Sequence, residues 1–575
     1  MDKLVVKDKK VHNTSCYILE GVGLTFEDFT DEEKQASFMT SFTIAMSSGK
    51  EYKGKDIADL MRCLRQIKLD YCLTTYTKDN KDILIIYTDR LWELSCYLYH
   101  NTTERFPKYF QVLDNIEFRS CWEKDIHDAS EIAEWSKFYQ DNLFTKFGYW
   151  YLTPSQIFRK RIKKTCTVND ITVGHKIFPA YFPDFNFIKK GLFGGICYCP
   201  YPMKVFEQPI IEIDLKSAYI YCFLKKHCSS PLRDVDEKYW EIYLKNPEKL
   251  SIGKYRITYT SWSSKVSCYK NIDGEHCKPT VEGHPFTDTF IMNNTDLWLF
   301  INTVNVTGIE CLDLVETDLD YLPKEIIDLV LEAYKNKEKA KPGEDRKLMK
   351  VILNAIYGNT IRKVEDIFDF NDREENDVLA PQWGILITSY CKELVLTLGS
   401  KLDGWLYSDT DSIFCFDTPE NQRKIEAFNK KTRETVKNIC DMYGYDFEDY
   451  KDLGCFMIEE HITKFKAWKQ KQYVFTRKNP KYDKKTKKWV WMVKKAAGCN
   501  RDVVVDDSIY EKNEVPIGEK VINKFFNDFP AKVIKDGKEY FSETSYYIMK
   551  VNCEENKNTL ALMELAYYLT GELPY

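Results

Sequence analysis

Apolar residues recur along the first part of the chain in patterns typical of mixed helices and strands. The runs at 38–46 and 83–87 are rich in apolar and β-branched residues and predict strands. Residues 55–67 place apolar side chains at helical spacing and predict an amphipathic helix. A passage rich in Phe, Tyr and Pro then leads to Gly194-Gly195, where we expect a linker. The pattern predicts a mixed α/β unit over residues 1 to about 150.

Past the linker, short apolar runs alternate with longer helical patterns. Residues 209–214 form an apolar run that ends in an acid and predict a buried strand. Residues 323–336 and 345–357 have helical periodicity, and the breaker Lys-Pro-Gly at 341–343 separates them. We therefore expect a helical hairpin there. The last stretch, 551–575, predicts a helical tail without an assigned role.

Three aspartates are the sharpest polar feature. Apolar half-strands at 405–407 and 413–416 predict a β-hairpin whose tip carries Asp409 and Asp411, and Asp214 ends the strand before them. Crowded carboxylates repel each other unless cations compensate them, and hard oxygen ligands favour Mg²⁺ or Mn²⁺. Two such ions, roughly 3.5–4 Å apart, activate a hydroxyl and hold a departing pyrophosphate. Alone, Asp-Thr-Asp is also an ordinary turn sequence.

A second set of polar residues follows the second predicted helix. Arg346 and Lys350 are four residues apart and share a helix face, which Asn354 and Tyr357 continue. Such a face can grip a triphosphate at one end and stack on a base at the other. Tyr219 lies five residues after the first aspartate, where its ring can lie beside a sugar. The alternative for each residue is a solvated helix edge or a core position.

Composition indicates a folded, cytoplasmic protein of several domains. The chain has 575 residues, of which 44% are hydrophobic and 15% aromatic, so disorder is excluded. The sequence shows neither an apolar run of membrane-spanning length nor an N-terminal apolar segment typical of a secretory signal. Nineteen scattered cysteines without metal-ligand spacing predict reduced thiols.

The net charge of −5 hides a strong segregation of charge. Residues 461–501 contain fourteen Lys or Arg and a single acid, Asp483. Six aromatic residues interleave with these cations: Trp468, Tyr473, Phe475, Tyr482, Trp489 and Trp491. This stretch favours a phosphate backbone as partner, with a solvated basic hairpin as the alternative.

Four motifs in order resemble those of the B-family DNA polymerases. EIDLKSAYIY, KLMKVILNAIYGN and LYSDTDSIF resemble motifs A, B and C, and KQY at 471–473 resembles the later KxY motif. FGG at 193–195 and KAAG at 495–498 are similar to the protein-primed branch of phages and linear plasmids. The resemblance implies an α+β multi-domain fold: a right-hand polymerase of palm, fingers and thumb, with an N-terminal RNase H-like, exonuclease-type α/β domain.

The resemblance implies roles for individual residues. Asp214 and Asp411 are implied as ligands of two Mg²⁺ or Mn²⁺ ions, with Asp409 supporting them in catalysis. The implied nucleotide-binding residues are Leu215, Tyr219, Arg346, Lys350, Asn354 and Tyr357. The implied primer and DNA contacts are Lys471, Tyr473, Lys494 and Lys495. The implied partners are DNA template and primer, deoxynucleotides and a terminal protein, for a monomeric enzyme without membrane association.

The resemblance also implies a division of the chain. The predicted domains are an exonuclease-like domain at 1–185, a linker and motif A at 186–224, an insertion for terminal-protein and DNA contacts at 225–320, fingers with motif B at 321–362, a short second insertion at 363–381, palm with motif C at 382–460, the KxY motif and basic thumb at 461–550, and the tail at 551–575.

The exonuclease-like part departs from the family pattern. The family motifs need Asp-x-Glu, then Asn with an Asp four residues on, then Tyr-x-x-x-Asp. The matched positions here are Glu20 without its leading Asp, Asp89 with Glu93, and Asp141. Loss of one ligand of a two-metal site removes most of its rate, so we expect 3′–5′ exonuclease activity to be lost. The alternative is a different register of these motifs.

The leading functional prediction is a template-dependent DNA-directed DNA polymerase that replicates a phage or linear element from a protein primer. Two alternatives remain open on sequence. One is a template-independent or self-priming nucleotidyltransferase of polymerase fold. The other is a non-catalytic nucleic-acid-binding protein, against which the three crowded aspartates argue.

Overall fold

The computed structural model divides the chain into two compact units. One combines residues 1–153 with 519–550, and the other combines 154–518 with 551–575. None of the described helices is long and apolar enough to cross a bilayer. The described residues are 20–31, 36–71, 73, 84–89, 91, 94, 98, 110–113, 116–121, 126–147, 157, 187, 188, 190–229, 232–244, 246, 248–260, 269–275, 285–340, 344–360, 381–483, 487–496, 506–513, 521–535 and 538–549.

The strands are β1 (Val22–Asp31), β2 (Ala36–Met46), β3 (Glu51–Gly54), β4 (Leu84–Thr88), β5 (Ile116–Ser120), β6 (Ile196–Tyr198), β7 (Val205–Phe206), β8 (Ile210–Leu215), β9 (His227–Cys228), β10 (Arg233–Asp234), β11 (Lys249–Thr260), β12 (Phe286–Asn293), β13 (Asn305–Asp320), β14 (Tyr407–Thr410), β15 (Ser412–Phe416), β16 (Phe456–Lys469), β17 (Gln472–Asp483), β18 (Lys488–Ala496), β19 (Val521–Lys535) and β20 (Lys538–Met549). The helices are α1 (Ile57–Asp70), α2 (Phe110–Leu113), α3 (Ala129–Phe147), α4 (Ala218–Phe223), α5 (Trp240–Leu244), α6 (Asn294–Thr303), α7 (Lys324–Lys339), α8 (Glu344–Thr360), α9 (Pro381–Gly399) and α10 (Pro419–Tyr443).

The first unit is built on a seven-stranded sheet of described strands. Its order is β19-β20-β2-β1-β4-β5, with β3 beside β2. Helix α1 buries Leu60 and Leu64 against Leu24 and Ile44 of the sheet. Helix α3 approaches β1 closely, because Gly23 leaves room for its backbone. The predicted strands and helix of this unit are all present.

An eight-stranded sheet, which we call the central sheet, organises the second unit. Its order is β18-β17-β16-β8-β15-β14-β6, with β7 beside β16. In β8 the side chains alternate: Ile211, Ile213 and Leu215 enter the large apolar core, whereas Glu212 and Asp214 are only half-buried. Residues of α4, α9 and α10 share that core, so these helices cover one face of the sheet. The opposite face carries the acids.

The predicted helical hairpin is formed by α7 and α8, which pack against each other. A third sheet lies in the predicted insertion at 225–320, with the order β10-β13-β11-β12 and β9 beside β13. Two residues cap helix α10. Thr418 precedes it, and its hydroxyl accepts a hydrogen bond from the Asn421 amide at 3.1 Å. Gly444 follows it in the left-handed conformation, with φ of 78°. Local sequence signals therefore set the ends of this helix.

The structure divides the chain differently from the prediction in two places. The first unit includes residues only to 153, not to 185, and it also includes the β19–β20 hairpin, which falls in the predicted thumb at 461–550. The strands β16–β18 of the basic stretch continue the central sheet rather than starting a separate thumb at 461. Nearly all of the predicted second insertion (363–381) and the whole predicted tail (551–575) lie outside the described residues.

A fully buried ion pair ties α6 to α9 behind the central sheet. Lys392 Nζ lies 2.6 Å from Asp296 Oδ1, and both side chains are 0% exposed. Asp296 also accepts hydrogen bonds from Asn293 Nδ2 at 3.0 Å and from the Ser389 hydroxyl at 2.6 Å. The Lys392 ammonium also lies over the Tyr269 ring, 5.1 Å from its centroid. The charges are compensated, so loss of one leaves the other buried alone.

We predict that Lys392→Met destabilises the second unit by about 3–5 kcal/mol, because Asp296 loses its counter-ion inside the protein. Urea unfolding, followed by circular dichroism, measures the change. Lys401→Met, on an exposed lysine just past α9, is the matched control and should change stability by less than about 0.5 kcal/mol. Equal effects of the two substitutions would contradict the assigned role of the pair.

Candidate active site

Asp214 and Asp411 lie side by side because β8 pairs with β15. Ser412, the first residue of β15, pairs with Asp214, and the Leu215 amide donates to the Asp411 carbonyl at 3.0 Å. Burial, and then repulsion from Asp411, raises the pKa of Asp214 to about 7. Burial likewise raises the pKa of Asp411 to about 6, although the Lys350 ammonium opposes the shift. Two carboxylates are thus held together at an energetic cost that a cation relieves.

Asp409 lies in different surroundings from its neighbour Asp411. Thr410 between them has φ of 63°, a left-handed conformation that reverses the chain. The Asp409 carboxylate accepts a hydrogen bond from Thr410 Oγ1 at 3.1 Å and faces Lys471 Nζ at 3.9 Å. A Cβ atom on Gly195 would lie 2.7 Å from the Thr410 side chain, so this turn needs a glycine beside it.

A cavity of about 990 Å³ opens beside the Asp214–Asp411 pair. Its acids come from the central sheet, and its cations come mainly from α8 and the end of α7. Helical spacing places the predicted residues of α8 along one face, as expected. The cavity brings together eight residues predicted from the sequence: Asp214, Leu215, Tyr219, Arg346, Lys350, Asn354, Tyr357 and Asp411.

Tyr219 and Tyr357 contact each other in the wall of this cavity. Their ring centroids are 4.4 Å apart and their planes are inclined by 38°. Burial raises the pKa of both phenols, so both stay neutral at ordinary pH. The contact fixes the Tyr219 ring, which belongs to α4, against α8.

Three charged residues of the cavity region were missed in the sequence. Lys337 Nζ donates to the Ser217 hydroxyl at 2.6 Å, and burial lowers the pKa of Lys337. Glu338 lies among three cations, 3.3 Å from Lys216 Nζ, 3.3 Å from Lys337 Nζ and 3.4 Å from the Arg346 guanidinium. Lys216 stands inside the motif EIDLKSAYIY and could have been singled out. Lys337 belongs to a lysine-rich run without any distinguishing spacing.

The predicted primer contacts are divided between the two faces of the central sheet. Lys471 forms a tight turn with φ of 60°, and its amide donates to the Tyr407 hydroxyl at 2.6 Å. Tyr473 packs on Tyr407 with ring centroids 4.9 Å apart. Lys495 is opposite Tyr473 in the strand register, whereas Lys494 is opposite the next residue. Because strand side chains alternate, Lys494 and Lys495 lie on opposite faces of the sheet, and the predicted DNA contact of Lys494 stays a prediction.

The oxygen donors of the cavity suit a hard divalent cation that also takes ligands from a substrate. Asp214, Asp411 and Glu459 all line the cavity. Among the described residues, no three His, Cys, Asp or Glu side chains form a closed metal site. Mg²⁺ keeps several waters and binds through one or two carboxylates plus phosphate oxygens, so an open site of this kind fits it. Glu459 is a further acid that sequence reasoning did not identify.

The acids predicted as remnants of an exonuclease site do not meet in the first unit. Strands β1 and β4 pair in parallel with Leu24 level with Thr88, and extending this register by one residue places Asp89 near Thr25. Glu20 precedes this position by five residues, or roughly 17 Å of extended chain. There it accepts hydrogen bonds from the hydroxyls of Ser48 and Tyr71, both at 2.9 Å. The register that selected Glu20 is therefore wrong, as the alternative reading allowed.

Asp141 is also far from Asp89. His127 Nδ1, just before α3, lies 3.1 Å from Asp89 Oδ2. Asp141 is more than three helical turns further along α3, about 18 Å from the helix start, and pairs with Lys137 at 3.1 Å. Its assignment to a common site with Asp89 is wrong. Glu93 lies outside the described residues.

Comparison with known proteins gives a match at the level of structure. Scans by sequence against family models and against curated proteins return no match. Solved structures of phi29 DNA polymerase are similar in the complex with primer-template DNA, in an orthorhombic crystal form and in the complex with single-stranded DNA, with TM-scores of 0.56, 0.55 and 0.53. Each is 14% identical and covers 92% of this chain and 100% of that chain. The chain therefore has the fold of a DNA polymerase.

Proposed function

We propose that this protein is a DNA-directed DNA polymerase that adds deoxynucleotides to a primer along a DNA template. One observation carries the proposal. A chain with a polymerase fold holds Asp214 and Asp411 together at a cavity whose far wall carries Arg346 and Lys350. That combination of paired acids and facing cations matches what nucleotidyl transfer needs: acids for hard cations, and cations for a triphosphate.

Asp214 and Asp411 are proposed to hold two Mg²⁺ or Mn²⁺ ions. When bound, such ions lower the pKa of the primer 3′-hydroxyl and stabilise the charge of the leaving pyrophosphate. The chain's own part is to keep both carboxylates at the cavity mouth, although their raised pKa values make that position unfavourable without cations. The strand pairing holds them there in advance, so little reorganisation accompanies the reaction.

The cations of the fingers hairpin α7–α8 are proposed to bind the triphosphate. Arg346 and Lys350 share one face of α8 and line the cavity. Lys337 lines it from α7, where its bond to Ser217 joins the hairpin to the loop after β8. Phosphate oxygens then take the place of the Glu338 carboxylate as partners of Arg346.

Tyr219 is proposed to exclude the ribose 2′-hydroxyl. Its ring is braced by Tyr357 at 4.4 Å, and a braced ring rejects an added hydroxyl by steric overlap. Asn354 and Leu215 complete the nucleotide pocket. On the primer side, Lys471, Tyr473 and Lys495 are proposed to hold the 3′ end, with Asp409 orienting Lys471 from 3.9 Å.

Finer features of the proposal come from the sequence motifs. The FGG and KAAG segments favour protein-primed replication of a phage or linear element in the cytoplasm by a monomeric enzyme. A terminal protein supplies the first hydroxyl, and the sheet formed within 225–320 is the surface proposed to receive it. We also propose that exonuclease activity is lost, because Glu20 and Asp141 bind other side chains and do not meet Asp89.

We predict that Asp411→Asn and Asp214→Asn each lower primer extension by at least about a hundredfold, because each removes a carboxylate from the charge centre of the reaction. Single-turnover extension of a labelled primer on a defined template with Mg²⁺ measures the rate. Asp441→Asn, on an exposed residue of α10, is the matched control with unchanged rate. Asp409→Asn should give an intermediate loss. No extension by the unmodified protein would refute the assignment.

We predict that Tyr219→Ala incorporates ribonucleotides at least about tenfold better relative to deoxynucleotides, because the braced ring no longer occupies the space beside the sugar. The ratio of kcat/KM values for the two nucleotides measures the change. Tyr219→Phe keeps the ring and should keep the discrimination. If Tyr219→Ala still extends with deoxynucleotides and the ratio is unchanged, Tyr219 does not exclude the ribose 2′-hydroxyl.

We predict that the protein does not digest a 3′-labelled single strand in the presence of Mg²⁺, since Glu20, Asp89 and Asp141 do not meet in the described part of the first unit. Product release on a denaturing gel is the measurement, with Asp89→Asn as the background control. Digestion by the unmodified protein that Asp89→Asn abolishes would show an intact nuclease.

A further inference from the structure

The structure sorts the six aromatic residues of the basic stretch into two groups. Trp468, Tyr473 and Phe475 are buried in the cores beside the central sheet. The other three are exposed by half or more: Tyr482 by 50%, Trp489 by 64% and Trp491 by 53%. A cluster of exposed large rings on a soluble surface is uncommon and marks an interaction site.

The three exposed rings belong to one end of the two-stranded ribbon β17–β18. Tyr482 is opposite Trp489 in the register, and their ring centroids are 5.4 Å apart at an angle of 65°. Trp491 is two residues from Trp489 in the same strand, so alternation puts both on one face. The rings therefore form a continuous apolar surface, which we call the Trp489 face.

The Trp489 face continues the side of the central sheet that carries the acids. Alternation along β18 places Lys495 on the same face, opposite Tyr473. The Tyr473 ring packs on Phe414, with centroids 5.3 Å apart, and Phe414 pairs with Glu212, two residues before Asp214. Trp491 and Trp489 lie roughly 13 and 20 Å from Lys495 along β18. A nucleic-acid strand that extends past Tyr473 and Lys495 along this face therefore reaches the exposed rings.

Cations surround these rings. Between 477 and 495 the chain has nine Lys or Arg and a single acid. Two of the cations pair with Glu460: Arg477 at 3.0 Å and Lys481 at 2.7 Å. Lys478, Lys487 and Lys488 are exposed beside the rings. The surface thus combines flat apolar rings with positive charge, which complements the bases and phosphates of a nucleic acid.

We propose that the Trp489 face binds single-stranded nucleic acid by stacking Tyr482, Trp489 and Trp491 on two or three unpaired bases. A duplex hides its base faces within the stack, so rings aimed outward from a ribbon gain contact only with an unpaired strand. The exposed lysines hold the phosphates between those bases. The proposal rests on the proposed function only for the origin of the strand, which is the unpaired part of a template or primer.

Binding of a fluorescently labelled 12-nucleotide oligo(dT), followed by anisotropy with EDTA and without nucleotides, tests the proposal on the full chain. The double variant Trp489→Ala/Trp491→Ala should bind oligo(dT) at least about tenfold more weakly. Its affinity for a 12-base-pair blunt duplex should change by less than twofold. Trp298→Ala, on a tryptophan of α6 that is 46% exposed, is the matched control and should bind as the unmodified protein does.

Trp489→Phe/Trp491→Phe keeps flat rings and should retain most of the affinity, which separates stacking from a general disturbance of the ribbon. An unchanged oligo(dT) affinity in the double Ala variant overturns the proposal. Equal weakening for duplex and single strand also overturns it, since the ribbon then binds backbone alone. Concentration-dependent dimerisation that the Ala substitutions abolish, without loss of oligo(dT) binding, assigns the rings to a second copy instead.

The test is separable from the catalytic proposal. Asp411→Asn should abolish extension and leave oligo(dT) binding unchanged, because Asp411 lies near the start of the ribbon and the three exposed rings lie at its other end. If the unmodified protein fails to extend primers but the tryptophan variants still lose single-strand affinity, the Trp489 face stands without the polymerase. If the unmodified protein extends primers and the tryptophan variants bind oligo(dT) normally, only the proposed role of the Trp489 face is contradicted.

Discussion

The pairing of β8 with β15 is the constraint on which the site depends. It forces Asp214 and Asp411 into a shared, partly desolvated space, where burial raises the pKa of both and Asp411 raises that of Asp214 further. The fold sustains this because the apolar side chains of both strands enter a core closed by three helices. A buried ion pair, Asp296 with Lys392, fastens two of the surrounding helices to each other. Stability elsewhere thus compensates a strained charge arrangement at the cavity.

Negative and positive charges line different walls of the cavity. Acids on the rigid sheet face cations on a helical hairpin, which joins the sheet through local contacts such as Lys337 with Ser217. Tyr219 and Tyr357 bridge the same two parts. This arrangement of acids opposite cations suits a triphosphate that binds Arg346 and Lys350 directly and the carboxylates through divalent cations.

Much of the fold was predictable because its signals are local. The strand before Asp214, the acidic hairpin tip and the α7–α8 hairpin all follow from short apolar runs, breakers and helical periodicity. The limits of the two units were harder to predict from the sequence. Nothing local indicates that the β19–β20 hairpin joins the first sheet, since that pairing joins residues about 500 positions apart.

The sequence by itself determined which residues can do chemistry: the spacing of Asp409 and Asp411, the helical face of Arg346 and Lys350, and the cationic stretch. Only the tertiary structure decided which of them meet. Lys494 and Lys495 are neighbours in sequence yet lie on opposite faces, because strand pairing fixes where each side chain points. Three aromatics of the basic stretch are buried because they pack into the apolar clusters beside the central sheet, whereas the three at the far end of the β17–β18 ribbon are exposed. Composition sets the available groups, and long-range packing assigns each to core, site or surface.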